Sequence, residues 1–157
     1  MPGPPHFPER AALVRRAAAR LCLRLGWAPL HEVALPNGRR ADILALRRDG
    51  GFACIEVKSG PRDFLTDSKW PEYRAYADAL YFAVDDDFPM EILPTEAGLI
   101  VAAGLEADLL RDAPPHPLSP ARRTALLRQF ATIAAVRLTA LEDPASMADV
   151  RSALRAE

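Results

Sequence analysis

The sequence predicts an α/β domain with a mixed central sheet flanked by helices. An amphipathic helix pattern at the start is followed by three short strand patterns, with turn signals between them. A nearly continuous apolar run at residues 79–84 is typical of a strand buried on both faces. Helical patterns on both sides of that run indicate that helices cover the sheet. This order of elements is typical of a layered α/β domain.

The first helix is predicted over residues 9–25. Its apolar residues recur at helical spacing, and its arginines fall mostly on the opposite face. Pro8 suits the first turn of a helix, and Gly26 suits the position just after its end. The apolar positions are Leu13, Val14, Ala17, Leu21, Cys22 and Leu25.

Three strands are predicted next, over residues 31–35, 40–46 and 52–58. The pair Asn37-Gly38 separates the first two and is a strong signal for a tight hairpin. A second turn at residues 49–51 contains two glycines and joins the second strand to the third. The three strands therefore form an antiparallel meander.

The remaining elements are predicted from the same kinds of sequence pattern. We expect a helix over residues 62–79 with a break or kink at Pro71, because proline cannot continue a regular helix. A buried strand at 79–84 and weaker strands then precede a proline-rich connector. A helix from about 120 to 141 and a short helix carrying Met147, Val150 and Leu154 end the chain. The weaker strands and the connector span residues 91–93, 98–103, 107–111 and 113–120.

Composition excludes several classes of protein. The 157 residues are 50% hydrophobic and 26% charged, which is ordinary for a globular domain. No apolar run approaches the roughly 20 residues that span a bilayer, and no secretory signal is visible. Two cysteines form neither a disulfide framework nor a metal motif, so a cytoplasmic protein is expected. The scattered histidines and the absence of a P-loop argue against zinc hydrolysis and nucleotide hydrolysis.

Charge is unevenly distributed. Residues 1–48 carry a local charge of +6, whereas the rest of the chain carries −7. A basic segment can face phosphates. The simpler interpretation is favoured here, because several of these arginines lie on the polar, solvent-facing side of the predicted helix. The chain has only two lysines, Lys58 and Lys69, and both lie in one short stretch. Lysine offers a compact charge that arginine cannot replace, so this stretch is of interest.

Three charged side chains on the second and third strands form a candidate site. Glu56 and Lys58 are two residues apart on a strand and therefore project to the same face. Pairing about the turn at 49–51, with indices that sum to about 100, places Asp42 near Lys58 and diagonal to Glu56. Such a set also arises by chance on solvated strands. Here it ends a buried strand, at the point where a sheet opens into a cleft.

This set of residue types suits phosphodiester hydrolysis. Two carboxylates hold a hard divalent cation such as Mg²⁺ or Mn²⁺, which keeps several waters. The cation activates a bound water and stabilises charge on a phosphoryl oxygen. A neighbouring lysine can orient the attacking water or stabilise the pentacovalent phosphorane.

The layout resembles the PD-(D/E)XK nuclease superfamily, with Asp42, Glu56 and Lys58 at its motif positions, although Ala41 stands where the motif has proline. The segments RADILAL, EVKS, DFLTDSKWPEY, LYFAV and PTEAGLIVA resemble the MmcB-like bacterial DNA repair proteins of that superfamily. The resemblance covers roughly residues 7–140. It implies a restriction-endonuclease-like three-layer fold and a metal-dependent endonuclease acting on DNA.

The resemblance also implies secondary site residues. The backbone carbonyl of Val57 would complete the metal shell beside Asp42 and Glu56. Glu32 would be an accessory metal or water ligand, with an exposed strand acid as the simpler interpretation. Lys69 would touch a phosphate, and Asp63 and Asp67 would shape the cleft. Trp70 would stack on a base or, more simply, pack in the core, and core packing is also favoured for Tyr73.

The sequence predicts a domain organisation and a function, and it leaves two alternative functions open. Residues 1–8 form an extension, 9–112 the nuclease-like core, and 113–157 a connector and helices packed on the core. The expected function is DNA repair by a Mg²⁺-dependent nuclease, with Arg39 and Arg40 contacting DNA because they flank the cleft. The alternatives are a non-catalytic DNA-binding or docking module and an RNA nuclease. Other repair proteins are possible partners, no membrane is expected, and the oligomeric state is open.

Overall fold

The computed structural model describes residues 7–149, and the chain divides after Leu118 into two compact units. Over residues 7–118, the first unit holds two α-helices, six strands and short 3-10 helices. Its α-helices are α1 (Phe7–Arg24) and α2 (Pro61–Thr66), and its longest 3-10 helix is Trp70–Tyr76. Its strands are β1 (Ala28–Ala34), β2 (Arg40–Leu46), β3 (Phe52–Val57), β4 (Ala79–Asp85), β5 (Gly98–Ala103) and β6 (Glu106–Arg111).

The six strands form one mixed sheet in the order β1-β2-β3-β4-β5-β6. The first three form the predicted antiparallel meander, β3, β4 and β5 are parallel, and β6 returns antiparallel to β5. Gly38 and Gly50 adopt φ values of 82° and 84° in the two meander turns, a region that favours glycine. The predicted mixed sheet between helical layers is confirmed.

Helix α1 covers one face of the sheet. Its buried side chains pack in one core with odd-numbered residues of β2, β3 and β4, such as Ile43, Ile55 and Tyr81. Gly26 has φ 76°, and the Trp27 N–H donates to the Cys22 carbonyl, which closes the helix as predicted. The helix contributes Val14, Ala17, Ala18, Leu21 and Cys22 to this core.

The other face is covered by the chain between β3 and β4. Phe64 of α2 and Trp70 of the 3-10 helix each make an edge contact with Phe82. The helix expected over 62–79, with a break or kink at Pro71, is therefore wrong beyond Thr66, because the α-helix ends before the proline. Pro71 has no N–H to donate to the carbonyl four residues earlier, and its ring would clash with that carbonyl, so α2 cannot continue through it. The proline lies instead in the first turn of a 3-10 helix, where its missing N–H costs no bond.

The strand expected at 91–93 is also wrong, because Met90–Ile92 is a short 3-10 helix. Prolines at 89 and 94 flank it and cannot donate to a strand ladder, and the chain must reverse here to make β5 parallel to β4. Residues 98–103 form a strand as predicted, and 107–111 lie within β6. No helix within residues 7–149 is long and apolar enough to cross a membrane.

Asp78 fastens the end of the first unit to the sheet. This buried carboxylate accepts hydrogen bonds from the Phe52 N–H at 2.7 Å and from the Leu118 N–H at 2.9 Å. Its own carbonyl accepts from the His116 N–H. The proline-rich connector is thereby held against the start of β3.

The second unit begins at Ser119, and its described residues include α3 (Pro120–Glu142) and a short 3-10 turn at Pro144–Ser146. The Ser119 hydroxyl accepts from the Arg122 N–H and caps the helix. Of the last predicted helix, Met147 lies within the described residues, whereas Val150 and Leu154 lie outside them.

Candidate functional site

Strands β2 and β3 bring Asp42 and Glu56 together. The pairing indices sum to 98, as in Ile43 with Ile55, so the next step sets Asp42 beside Glu56 rather than beside Lys58. The Asp42 Oδ2 accepts from the Val57 N–H at 2.8 Å, and the Glu56 Oε1 accepts from the Asp42 N–H at 3.3 Å. Each carboxylate is therefore fixed by the backbone of the opposite strand. The prediction that these two acids share a face is confirmed, with a register shifted by about two.

The two carboxylates repel each other in a site largely shielded from water. Burial, followed by the charge of Asp42, raises the pKa of Glu56 to about 8. Burial also raises the pKa of Asp42, against the hydrogen bond from the Val57 N–H and the positive charge of Lys58. Near neutral pH the pair therefore keeps a proton on Glu56, because two ionised carboxylates side by side would be left without enough compensating charge. A divalent cation would relieve this imbalance.

Lys58 lies at the end of β3 and is buried, with its side chain only 7% exposed. Its ammonium donates to the Asp67 Oδ2 at 2.7 Å and lies 3.9 Å from Asp63. Its charge also acts to lower the pKa of Asp42 and of Glu56, so it lies within their field. The lysine therefore lies between the carboxylate pair and α2.

Two aspartates flank this lysine from the α2 side. Asp63 accepts from the Ser59 N–H at 3.2 Å, and Asp67 accepts from the Lys69 N–H at 2.8 Å. Burial acts to raise the pKa of Asp67, but the bonds from Lys58 and from the Lys69 backbone outweigh it, so that the pKa is lowered. Both aspartates therefore lie within 3.9 Å of the Lys58 ammonium, and their role in shaping a cleft stays a prediction. The sequence did not identify Asp67 as the partner of Lys58, because no local pattern links residues nine positions apart.

Glu32 lies in β1 opposite Asp42, at an irregular point of the strand. It has φ 50°, and the register skips from His31 to Val33. A non-glycine residue in this region costs about 1–2 kcal/mol, and such strain tends to occur at functional positions. Its Oε1 lies 3.3 Å from the Arg15 guanidinium and 4.0 Å from that of Arg40. Its predicted role as an accessory metal or water ligand stays a prediction.

A cavity of about 200 Å³ opens beside the carboxylate pair. Asp42, Val57 and Arg15 line it, together with Pro8, Ala11 and Ala12 from the first half of α1. Arg15 is a residue that the sequence did not identify, since it read only as one of several arginines on the polar face of α1. The small alanines in that half of the helix leave space next to Asp42.

The predicted nucleic-acid contacts differ in their surroundings. Arg40 and Lys69 are exposed, whereas the Arg39 guanidinium donates to Glu72 at 2.6 Å, which raises the pKa of Arg39. Tyr73 is half-buried, and its hydroxyl donates to the Arg40 carbonyl at 3.3 Å. Trp70, also half-buried against Phe82, matches the core interpretation better than the stacking one.

The donor set suits a hard cation that keeps part of its water shell. Across residues 7–149, no three side chains of His, Cys, Asp or Glu are grouped so as to hold a metal. Asp42 and Glu56 therefore provide two carboxylate donors, and other ligands would have to be water, a backbone carbonyl such as that of Val57, or a substrate oxygen. Mg²⁺ sites with one or two carboxylates have this composition.

Comparison with known proteins identifies the family. The chain is similar to a solved protein of unknown function from Silicibacter pomeroyi, with 40% identity, a TM-score of 0.81, and coverage of 86% of this chain and 92% of that chain. No match was found among proteins of curated function. Residues 5–145 match the family described as DNA repair protein MmcB-like. Because this match spans most of the sequence, the chain belongs to the MmcB-like family of DNA repair proteins.

Proposed function

We propose that this protein is a Mg²⁺-dependent nuclease of the PD-(D/E)XK type that hydrolyses DNA phosphodiester bonds during repair. The observation that carries the proposal is the pair Asp42 and Glu56, held side by side at a cavity with Lys58 next to them. The family supports a role in DNA repair. The site chemistry supports the hydrolytic part of the proposal.

Each of these residues would have a separate role in binding or hydrolysis. Asp42 and Glu56 would hold the cation, and the backbone carbonyl of Val57, the residue after Glu56, would add a ligand. When bound, Mg²⁺ supplies an activated water and stabilises charge on the phosphoryl oxygen. Lys58 donates a hydrogen bond to the attacking water or to the phosphate, while Asp67 fixes its ammonium in position. Arg39, Arg40 and Lys69 are the proposed contacts to the DNA backbone.

One observation favours a second candidate, a non-catalytic DNA-binding or docking module. The ammonium of Lys58 is bonded to Asp67 at 2.7 Å, and this bond competes with any donation to water or phosphate. A lysine used only to fasten α2 to β3 would have this environment. The carboxylate pair argues against this candidate. Burying two acids side by side destabilises a fold, and a module that binds no cation would gain nothing to offset that cost.

The experiment is a cleavage assay over duplex, nicked, flapped and branched DNA and single-stranded RNA, with Mg²⁺, Mn²⁺ or EDTA. Asp42→Asn and Glu56→Gln remove charge without changing size, and Asp108→Asn on the exposed side of β6 is the matched control. We expect metal-dependent cleavage by the wild type and by Asp108→Asn, and none by the two site variants. DNA binding without cleavage of any substrate by the wild type would instead establish the docking module.

A further inference from the structure

Two arginines converge on a single carboxylate oxygen at the edge of the site. Arg15 of α1 and Arg40 of β2 lie 3.3 Å and 4.0 Å from the Oε1 of Glu32. Guanidinium groups gathered around one anionic oxygen are the arrangement with which arginines bind phosphate. The Glu32 carboxylate therefore lies where an oxygen of a phosphate group would be bound.

This anion position adjoins the proposed metal site. Arg15 and Asp42 line the same cavity, and Arg40 precedes Asp42 by two residues on β2. The charge of Arg15 is among the groups that act to lower the pKa of Asp42, so its field reaches that carboxylate. A nucleic-acid strand whose scissile phosphate lay at Asp42 would place a neighbouring phosphate within the range of these arginines.

The contact with Glu32 is easily exchanged. The side chains of Arg15 and Glu32 are 35% and 50% exposed, and ion pairs in such surroundings contribute little because water screens them. The positive φ of Glu32 adds backbone strain to the arrangement. A phosphate offers more charge and more acceptor oxygens than one carboxylate, so it would replace Glu32 at the arginines.

We propose that Arg15 and Arg40 form a binding site for a backbone phosphate of the nucleic acid, and that Glu32 occupies this site in the free protein. The choice of nucleic acid as ligand rests on the proposed function. The site reads no base, so it would position the strand without selecting a sequence. Arg15 is then a substrate-binding residue, and Glu32 an internal competitor for it.

The test is equilibrium binding of labelled duplex and single-stranded DNA, followed by fluorescence anisotropy at several salt concentrations, with Ca²⁺ in place of Mg²⁺. The variants are Arg15→Gln and Glu32→Gln, with Arg20→Gln as the matched control from an exposed position of the same helix. We expect Arg15→Gln to weaken binding roughly tenfold and to reduce the salt slope by about one. Glu32→Gln should tighten binding by about twofold to threefold, and the control should match the wild type. Circular dichroism melting shows whether each variant is folded.

The outcomes separate this inference from the proposed function. Equal affinity and equal salt slope for Arg15→Gln and Arg20→Gln would overturn the phosphate site. Weaker DNA binding by Glu32→Gln would overturn its role as a competitor. If the Arg15 effect holds but the wild type cleaves nothing in Mg²⁺, the nuclease proposal fails and the phosphate site stands. A wild type that binds no DNA at all would overturn both.

Discussion

The Lys58–Asp67 ion pair should contribute measurably to stability, since it joins the end of β3 to the chain after α2. The two atoms are 2.7 Å apart, and the side chains are only 7% and 18% exposed. Lys58→Met would leave the Asp67 carboxylate largely out of water and without its cation. Removing one partner of a fully buried pair costs about 3–5 kcal/mol. Because Asp67 keeps the bond from the Lys69 N–H and some contact with water, we expect about 2–3 kcal/mol.

A double-mutant cycle isolates this interaction. In Lys58→Met with Asp67→Asn both charges are gone, so the double variant should be more stable than the sum of the single losses predicts, by about 1–2 kcal/mol. Urea unfolding at neutral pH measures all four proteins. The Arg39–Glu72 pair is the matched control, because its 2.6 Å distance is similar but its side chains are 29% and 49% exposed. Its coupling should be smaller, since water screens it.

The stability contributed by the Lys58–Asp67 pair should depend on pH. The folded protein lowers the pKa of Asp67 below the ordinary 3.8, so the unfolded chain binds this proton more tightly. The stabilisation is fully present above the unfolded pKa and is lost as the pH falls through the lower folded value. The advantage of the wild type over Asp67→Asn should therefore disappear in acid. Strictly additive losses of stability in the double-mutant cycle at neutral pH would show that Lys58 and Asp67 do not stabilise the fold as a pair.

Three further predictions concern single residues. Asp78→Ala should destabilise the protein by about 2–4 kcal/mol in urea unfolding, because two buried N–H groups lose their acceptor; a loss below about 1 kcal/mol would contradict this. Gly98→Ala should cost about 3 kcal/mol or prevent folding, since the new methyl group would collide with the Tyr81 ring, and a wild-type melting temperature would be inconsistent with that packing. Lys58→Arg should keep most of its DNA affinity in Ca²⁺ but lose about 10²–10³ in single-turnover cleavage. Cleavage near the wild-type rate would remove Lys58 from the catalytic residues.

Local patterns were enough to predict most of the fold. The hairpin signal at Asn37-Gly38 predicted a return strand over residues 40–46, and these are the bounds of β2, because turn chemistry acts over a few neighbours. The same patterns did not predict the 3-10 helices. Trp70–Tyr76 and Met90–Ile92 depend on where prolines interrupt the backbone and on how far the chain must travel between parallel strands.

The candidate site was predicted in part. The shared face of Asp42 and Glu56 follows from the strand period, and the family expected from the segments around them is confirmed. The exact register depends on the conformation of the turn at 49–51, which the residue types do not determine. The contacts of Arg15 with Glu32 and of Lys58 with Asp67 join separate elements, so they depend on tertiary packing.

Calorimetric titration with Mn²⁺ measures whether Asp42 and Glu56 bind a divalent cation, as the proposed nuclease requires. The titration is best made without oxygen at about pH 9, above the pKa of Glu56, so that this carboxylate is ionised in the wild type and Mn²⁺ is not oxidised. Wild type and Asp108→Asn should bind Mn²⁺ with the same affinity, whereas Asp42→Asn and Glu56→Gln should bind at least about tenfold more weakly. Equal Mn²⁺ affinity in all four proteins would show that Asp42 and Glu56 do not hold the cation.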